Sequence, residues 1–113
     1  MVAMMGSMTL LLLMMAALLE AGGDALVRAG LKSPGGIRVS LLLAGAVVLF
    51  AYGCLVNGPN WDFGKLLGVY VVFFFVIAQF ISWAAFHQAP GRGILLGGAF
   101  IVVGGAIVAF SPA

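Results

Sequence analysis

Four apolar runs follow one another along the chain, and each stops where helix breakers and charges cluster. A hydrocarbon core about 30 Å thick asks for roughly 20 apolar residues per helical span. The first run begins between Met4 and Thr9 and ends between Val27 and Leu31. Lys32-Ser33-Pro34-Gly35-Gly36 stops it, since proline and paired glycines terminate helices. The second covers Val39–Val56 and closes at the turn-forming Asn57-Gly58-Pro59-Asn60-Trp61-Asp62, whose Trp61 suits the membrane interface. The third, Leu66–Phe86, is aromatic through Tyr70, Phe73, Phe74, Phe75, Phe80 and Trp83, and closes at His87-Gln88-Ala89-Pro90-Gly91-Arg92. The fourth is Ile94–Phe110. These runs are apolar all round instead of alternating, and they are too long for barrel strands. The pattern predicts an all-α membrane protein, a four-transmembrane-helix bundle forming a single domain over residues 1–113.

Composition strengthens that reading. The chain is 65% hydrophobic and only 7% charged, with a mean hydropathy of +1.28, whereas soluble domains average about 25% charged residues. A chain this short buries only roughly 65% of its surface on folding, so water could not accommodate the apolar excess. Five scattered basic residues are too few to track a phosphate backbone, which excludes nucleic acid as a partner. One cysteine, Cys54, and one histidine, His87, allow neither an intramolecular disulfide nor a zinc-type ligand set. The apolar N-terminal run lacks the basic segment that opens a signal peptide, so it is expected to be a retained first span.

Loop charges then set an expected orientation, because Lys and Arg are retained on the cytoplasmic side. The first and third loops share one side with Arg28, Lys32, Arg38 and Arg92, and only Lys65 lies on the other. Both termini are therefore expected outside the plasma (inner) membrane.

The first span also carries residues that lipid should exclude, Glu20 and Asp24. Their i, i+4 spacing puts both carboxyls on one helix face. Two ionised carboxylates one turn apart repel, and a low dielectric favours the neutral form of at least one, so the pair can hold a proton. Ionisable groups inside a span mark proton or substrate sites. Asp24 is also i, i+4 from Arg28, and both can reach the headgroups as ordinary anchors. A helix beginning at Thr9 puts Glu20 near the bilayer midplane, and one beginning at Met4 puts it nearer the interface.

Four short helices with a membrane glutamate in the first resemble the small multidrug resistance family of the drug/metabolite transporter superfamily. Glu20-Ala21-Gly22-Gly23 followed by Arg28 resembles the family's glutamate, a glycine three residues on and a basic residue near the helix end. Gly68-Val69-Tyr70 and Ser82-Trp83 resemble its aromatic, glycine-containing third helix. Phe86-His87-Gln88-Ala89-Pro90, with Gly97-Gly98 and Gly104-Gly105, resembles the closing hairpin of the superfamily. The Glu-Ala-Gly-Gly and Gly-Val-Tyr stretches look closer to its YnfA-like branch. The resemblance implies that Glu20 is the proton- and substrate-binding carboxylate, that Tyr70 and Trp83 belong to a pocket-lining helix, and that the fourth helix makes a dimer contact. Gly97 and Gly104, like Gly98 and Gly105, are seven residues apart and share a helix stripe, which allows close backbone approach. Two departures stand beside these matches. Typical members have nearly balanced loop charges and pair in opposite orientations, whereas this chain is biased four to one, and Asp24 occupies a position that is usually neutral.

Several residues support two readings. Gln79 can line a substrate path or make an interhelical hydrogen bond worth about 1 kcal/mol. Tyr52 and Tyr70 offer a cation a π-face worth roughly 0.5–2 kcal/mol, and Tyr70 is the preferred pocket aromatic. Trp61 and Trp83 suit interface anchoring and packing, the Phe73–Phe75 run is mostly packing, and Cys54 is a small apolar residue. His87 can sense pH or be a solvated loop residue. No nucleophile has an evident base and no phosphate loop follows a strand, so enzymatic activity and a bound cofactor are not expected. The expectation is a proton-coupled exporter of small cationic or amphipathic compounds, acting as a homodimer or with a related partner chain. The competing reading is a non-transporting accessory or structural subunit, such as part of a lipid-carrier flippase.

Overall fold

The computed structural model describes residues 2–111, with side chains from Ser7 onward. Its four α-helices are α1 (Val2–Leu31), α2 (Gly35–Val56), α3 (Phe63–Phe86) and α4 (Arg92–Phe110). Each is long and apolar enough to cross a membrane. The chain is an all-α, four-helix membrane protein made of two compact units, Met1–Gly58 and Pro59–Ala113. Each unit is a helical hairpin.

Helices begin earlier than the apolar runs suggest. α2 starts at Gly35 instead of Val39, α3 at Phe63 instead of Leu66, and α4 at Arg92 instead of Ile94. Hydropathy reports where hydrocarbon ends, but a helix keeps its hydrogen bonds through the polar boundary, so Arg38, Lys65 and Arg92 occupy first turns. α1 begins at Val2, ahead of both Met4 and Thr9.

In the first hairpin α1 and α2 run antiparallel, with Gly23 against Leu49, Val27 against Gly45, and Gly30 against Leu41 and Leu42. Missing side chains bring the backbones together. A Cβ on Gly45 would sit 2.7 Å from Val27 Cγ2 and 3.1 Å from the Gly23 carbonyl oxygen. The opposite face of α2 shows Leu43, Val47 and Phe50 outward, as a helix solvated by lipid does. Gly45→Leu is expected to destabilise this hairpin by about 1–3 kcal/mol, the usual cost of overpacking. Denaturant unfolding in detergent measures it, and wild-type stability in that variant would contradict the register.

The connection between α1 and α2 is tight. Gly35 has φ of +58°, which only glycine adopts without steric cost. Arg38, in the first turn of α2, donates from Nη1 to the Leu31 carbonyl at 3.0 Å, and Ser33 Oγ donates to Ala29 O at 2.9 Å. These donors satisfy carbonyls left over at the end of α1.

The second hairpin repeats the strategy with other residues. Gly68 lies against Val108, Gly98 against Phe75, and Gly105 against Val72, so α3 and α4 are also antiparallel. Lys65 in the first turn of α3 donates to Ser111 O at 3.0 Å, beyond the last turn of α4, and its ammonium lies 5.4 Å from the centroid of the Trp61 ring. A cation at a helix C-terminus is favoured by the exposed carbonyls. α3 ends on His87, whose φ of 56° is left-handed. Its N–H and that of Gln88 both go to Ser82 O, the latter at 3.0 Å, which closes the helix.

Candidate site on the first helix

The polar content of the spans is concentrated on α1. Glu20 is half-buried and lies about 16 Å of helix from Leu31, at 1.5 Å per residue. Asp24 is exposed and one turn nearer that end. The line of α1 that meets α2 passes through Gly23, Val27 and Gly30. At 3.6 residues per turn, Glu20 is displaced about 50° from it and Asp24 about 90°. Glu20 therefore stands at the edge of the hairpin seam and Asp24 outside it.

The register brings an aromatic to the same level. Leu49 faces Gly23, so the next turn of α2 places the half-buried Tyr52 level with Glu20. Glu20 and Tyr52 thus belong to one stretch of one hairpin, a relationship that their separation in sequence conceals. The antiparallel register was the missing signal, and it becomes readable only once Gly23, Gly30 and Gly45 are recognised as contact positions.

Asp24 lines an open groove of about 420 Å³ together with Val27, Arg28, Leu31, Lys32 and Leu49. Its walls are apolar and its charged groups are one carboxylate and two cations. Asp24 and Arg28 are i, i+4, so sequence spacing already put that pair on one side of the helix, and Lys32 follows just after its last residue. Leu49, contributed by α2, was not legible that way.

The remaining candidates lie on the second hairpin and divide into two places. Tyr70 is buried, with its ring stacked on Phe74 at 6.3 Å between centroids. Gln79 and Trp83 line a separate apolar groove of about 310 Å³ with Phe75, Val76, Phe80, Pro90, Ile94 and Leu95. Gln79 is the sole amide there, and Trp83 is exposed. The two glycine stripes of α4 also separate. Gly98 and Gly105 are buried against Phe75 and Val72 of their own chain, while Gly97 and Gly104 are exposed with nothing within 4 Å of an added Cβ. Among the described residues no group of three His, Cys, Asp or Glu converges.

No protein-family model matches the chain, and no solved structure does. It is similar to a UPF0060 membrane protein of Nocardia farcinica, 34% identical over 107 residues, which span 92% of this chain and 93% of that one. It is 30% identical over 107 residues to the UPF0060 membrane protein YfjF of Bacillus subtilis, covering 92% of this chain and 94% of the relative. A UPF0060 membrane protein of Clostridium beijerinckii is 27% identical over 106 residues, again 92% and 94% of the two chains.

Proposed function

Because the chain belongs to the UPF0060 family of membrane proteins, its carboxylates must be accounted for in lipid, and we propose that they serve proton-coupled export of small cationic or amphipathic compounds. One observation carries this reading. Glu20 is an ionisable, half-buried side chain far from either end of an apolar span, at the level of an aromatic hydroxyl-bearing ring on the adjoining helix.

The chemistry follows from competition for one carboxyl. Charge inside a span is costly, so an ionisable side chain there is suited to a site that trades a proton for a cation. A cation that binds the carboxylate displaces the proton, and a returning proton expels the cation. The Tyr52 ring adds a π-face for an ammonium or guanidinium, a contact worth roughly 0.5–2 kcal/mol. Alternation of the site between the two membrane sides then converts a proton gradient into export. This mechanism is what the resemblance to the small multidrug resistance family implies, with Asp24 as an added acidic group on the same helix.

Four helices make a thin wall around a pathway, so a homodimer or a related partner chain completes it in this proposal. Gly97 and Gly104 form the outward stripe available on α4. In this proposal both termini lie outside, because Arg28, Lys32, Arg38 and Arg92 favour the cytoplasmic side. Reporter fusions at the C-terminus and in the first loop are expected to give opposite, unmixed signals, and a mixed population would overturn the single orientation.

The same bias also favours the accessory-subunit reading, since a subunit with a fixed partner has one orientation. Transport separates the two. Purified protein in liposomes is expected to accumulate tetraphenylphosphonium against an opposing proton flow, and in detergent to release protons when that cation binds. An accessory subunit does neither.

A further inference from the structure

The groove holding Arg28 and Lys32 carries an inference beyond the transport chemistry. We propose that this groove, at the loop end of the first hairpin, is a binding site for the headgroup of an anionic phospholipid, with Arg28 and Lys32 holding the phosphodiester and Val27, Leu31 and Leu49 lying along the upper acyl chain. The proposal does not depend on transport.

Position is the first argument. Arg28 lies about 5 Å of helix before Leu31 and Lys32 just beyond it, so both reach the layer where a spanning helix meets headgroups. Lining is the second. Amphipathic anions need cationic donors at one end and hydrocarbon contact at the other, and the groove supplies both within about 420 Å³. Basic pockets between membrane helices on the cytoplasmic side are suited to anionic headgroups. Arg38 is a third cation at this end, fixed by its hydrogen bond to Leu31 O.

Charge decides the lipid class. Asp24 with Arg28 and Lys32 leaves the groove one excess positive charge, which a phosphodiester neutralises. Asp24 lies about 6 Å deeper than Arg28 along the helix, one turn further into the span. A zwitterionic lipid carries its ammonium outward from the phosphate, toward Lys32, where it meets a like charge and no carboxylate. The acid stands at the wrong depth for it. Phosphatidylglycerol therefore fits, and phosphatidylcholine and phosphatidylethanolamine do not.

Competitive lipid retention tests this. The purified chain is exchanged into mixed phosphatidylcholine, phosphatidylethanolamine and phosphatidylglycerol micelles, and retained lipid is read by native mass spectrometry. The wild type is expected to keep phosphatidylglycerol selectively. Arg28→Gln and Lys32→Gln should each weaken retention about tenfold, the worth of one charge-assisted hydrogen bond. Arg28→Lys and Lys32→Arg should largely restore it, showing that the loss is one of charge and not of folding. Arg92→Gln, at the start of α4, should change it less than about twofold. Equal loss in Arg92→Gln would mean diffuse attraction to a basic surface and would overturn the site. Unselective retention of all three lipids would do the same, and so would displacement of the lipid by millimolar inorganic phosphate, which would assign the groove to a free anion.

Discussion

Glu20→Gln is expected to reduce coupled exchange in liposomes to the level of protein-free vesicles while leaving the chain folded. Glutamine keeps the volume and one carbonyl acceptor of glutamate, so the seam between Glu20 and Gly23 on α1 and Leu49 and Tyr52 on α2 should close as before. What it removes is the single property the mechanism uses, a group that is anionic for the cation and neutral for the proton. Tetraphenylphosphonium should no longer release protons on binding, and a pH gradient should no longer move it. Asp24→Asn is expected to do less, because Asp24 lies outside the seam that holds Glu20, in an open groove lined also by Arg28 and Lys32. Wild-type proton release in Glu20→Gln would reject the exporter reading and leave the accessory subunit. Loss of folding would show first as altered unfolding in detergent, so the two causes of inactivity are separable. Tyr52→Phe keeps the π-face and removes the hydroxyl. Retained cation affinity with altered proton release in that variant would place the hydroxyl in proton handling.

Much of the fold is legible in the sequence. The four spans follow from run length against bilayer thickness, because lipid leaves a polypeptide no spanning choice but helices or a closed barrel. Glu20 stands out for the same reason. Helix starts were less legible, since hydropathy fades at Lys65 and Arg92 while backbone hydrogen bonding does not. Capping was not legible at all. Arg38 reaching Leu31 and Lys65 reaching Ser111 are contacts between elements, and sequence shows only that both residues are basic. Lys65 illustrates the consequence: it counts as the one charge against the orientation bias, yet it also has local work at the end of α4. The two pairs of α4 glycines were equivalent by spacing, both seven apart, and only the position of α3 tells them apart. The resemblance implied a dimer contact through all four, Gly97, Gly98, Gly104 and Gly105. The structure puts Gly98 and Gly105 against Phe75 and Val72 of the same chain, so any contact with a second copy through glycines rests on Gly97 and Gly104.

That division yields the second large effect, since adjacent residues of one helix are expected to respond oppositely. Gly105→Leu drives a branched side chain into Val72, with the Gly68 carbonyl 3.7 Å from where its Cβ would lie. Overpacking usually costs about 1–3 kcal/mol, and two membrane helices that rely on close backbone approach have few other contacts to repack. The folded fraction of Gly105→Leu in a denaturant titration should drop accordingly, with α3 and α4 separating. Gly104→Leu meets nothing within 4 Å of its Cβ, so its unfolding midpoint should match the wild type. Its effect should appear instead between copies. If α4 pairs with a second chain through Gly97 and Gly104, the added leucine holds the backbones apart and shifts the protein toward monomer in detergent sedimentation. Coupled transport should fall with it, because the pathway is then incomplete. Gly104→Leu that stays dimeric and active would move the interface elsewhere on the chain, and Gly105→Leu as stable as wild type would contradict the α3–α4 packing itself. The pair thus separates the contact that makes the hairpin from the contact that makes the assembly, using two residues joined by one peptide bond.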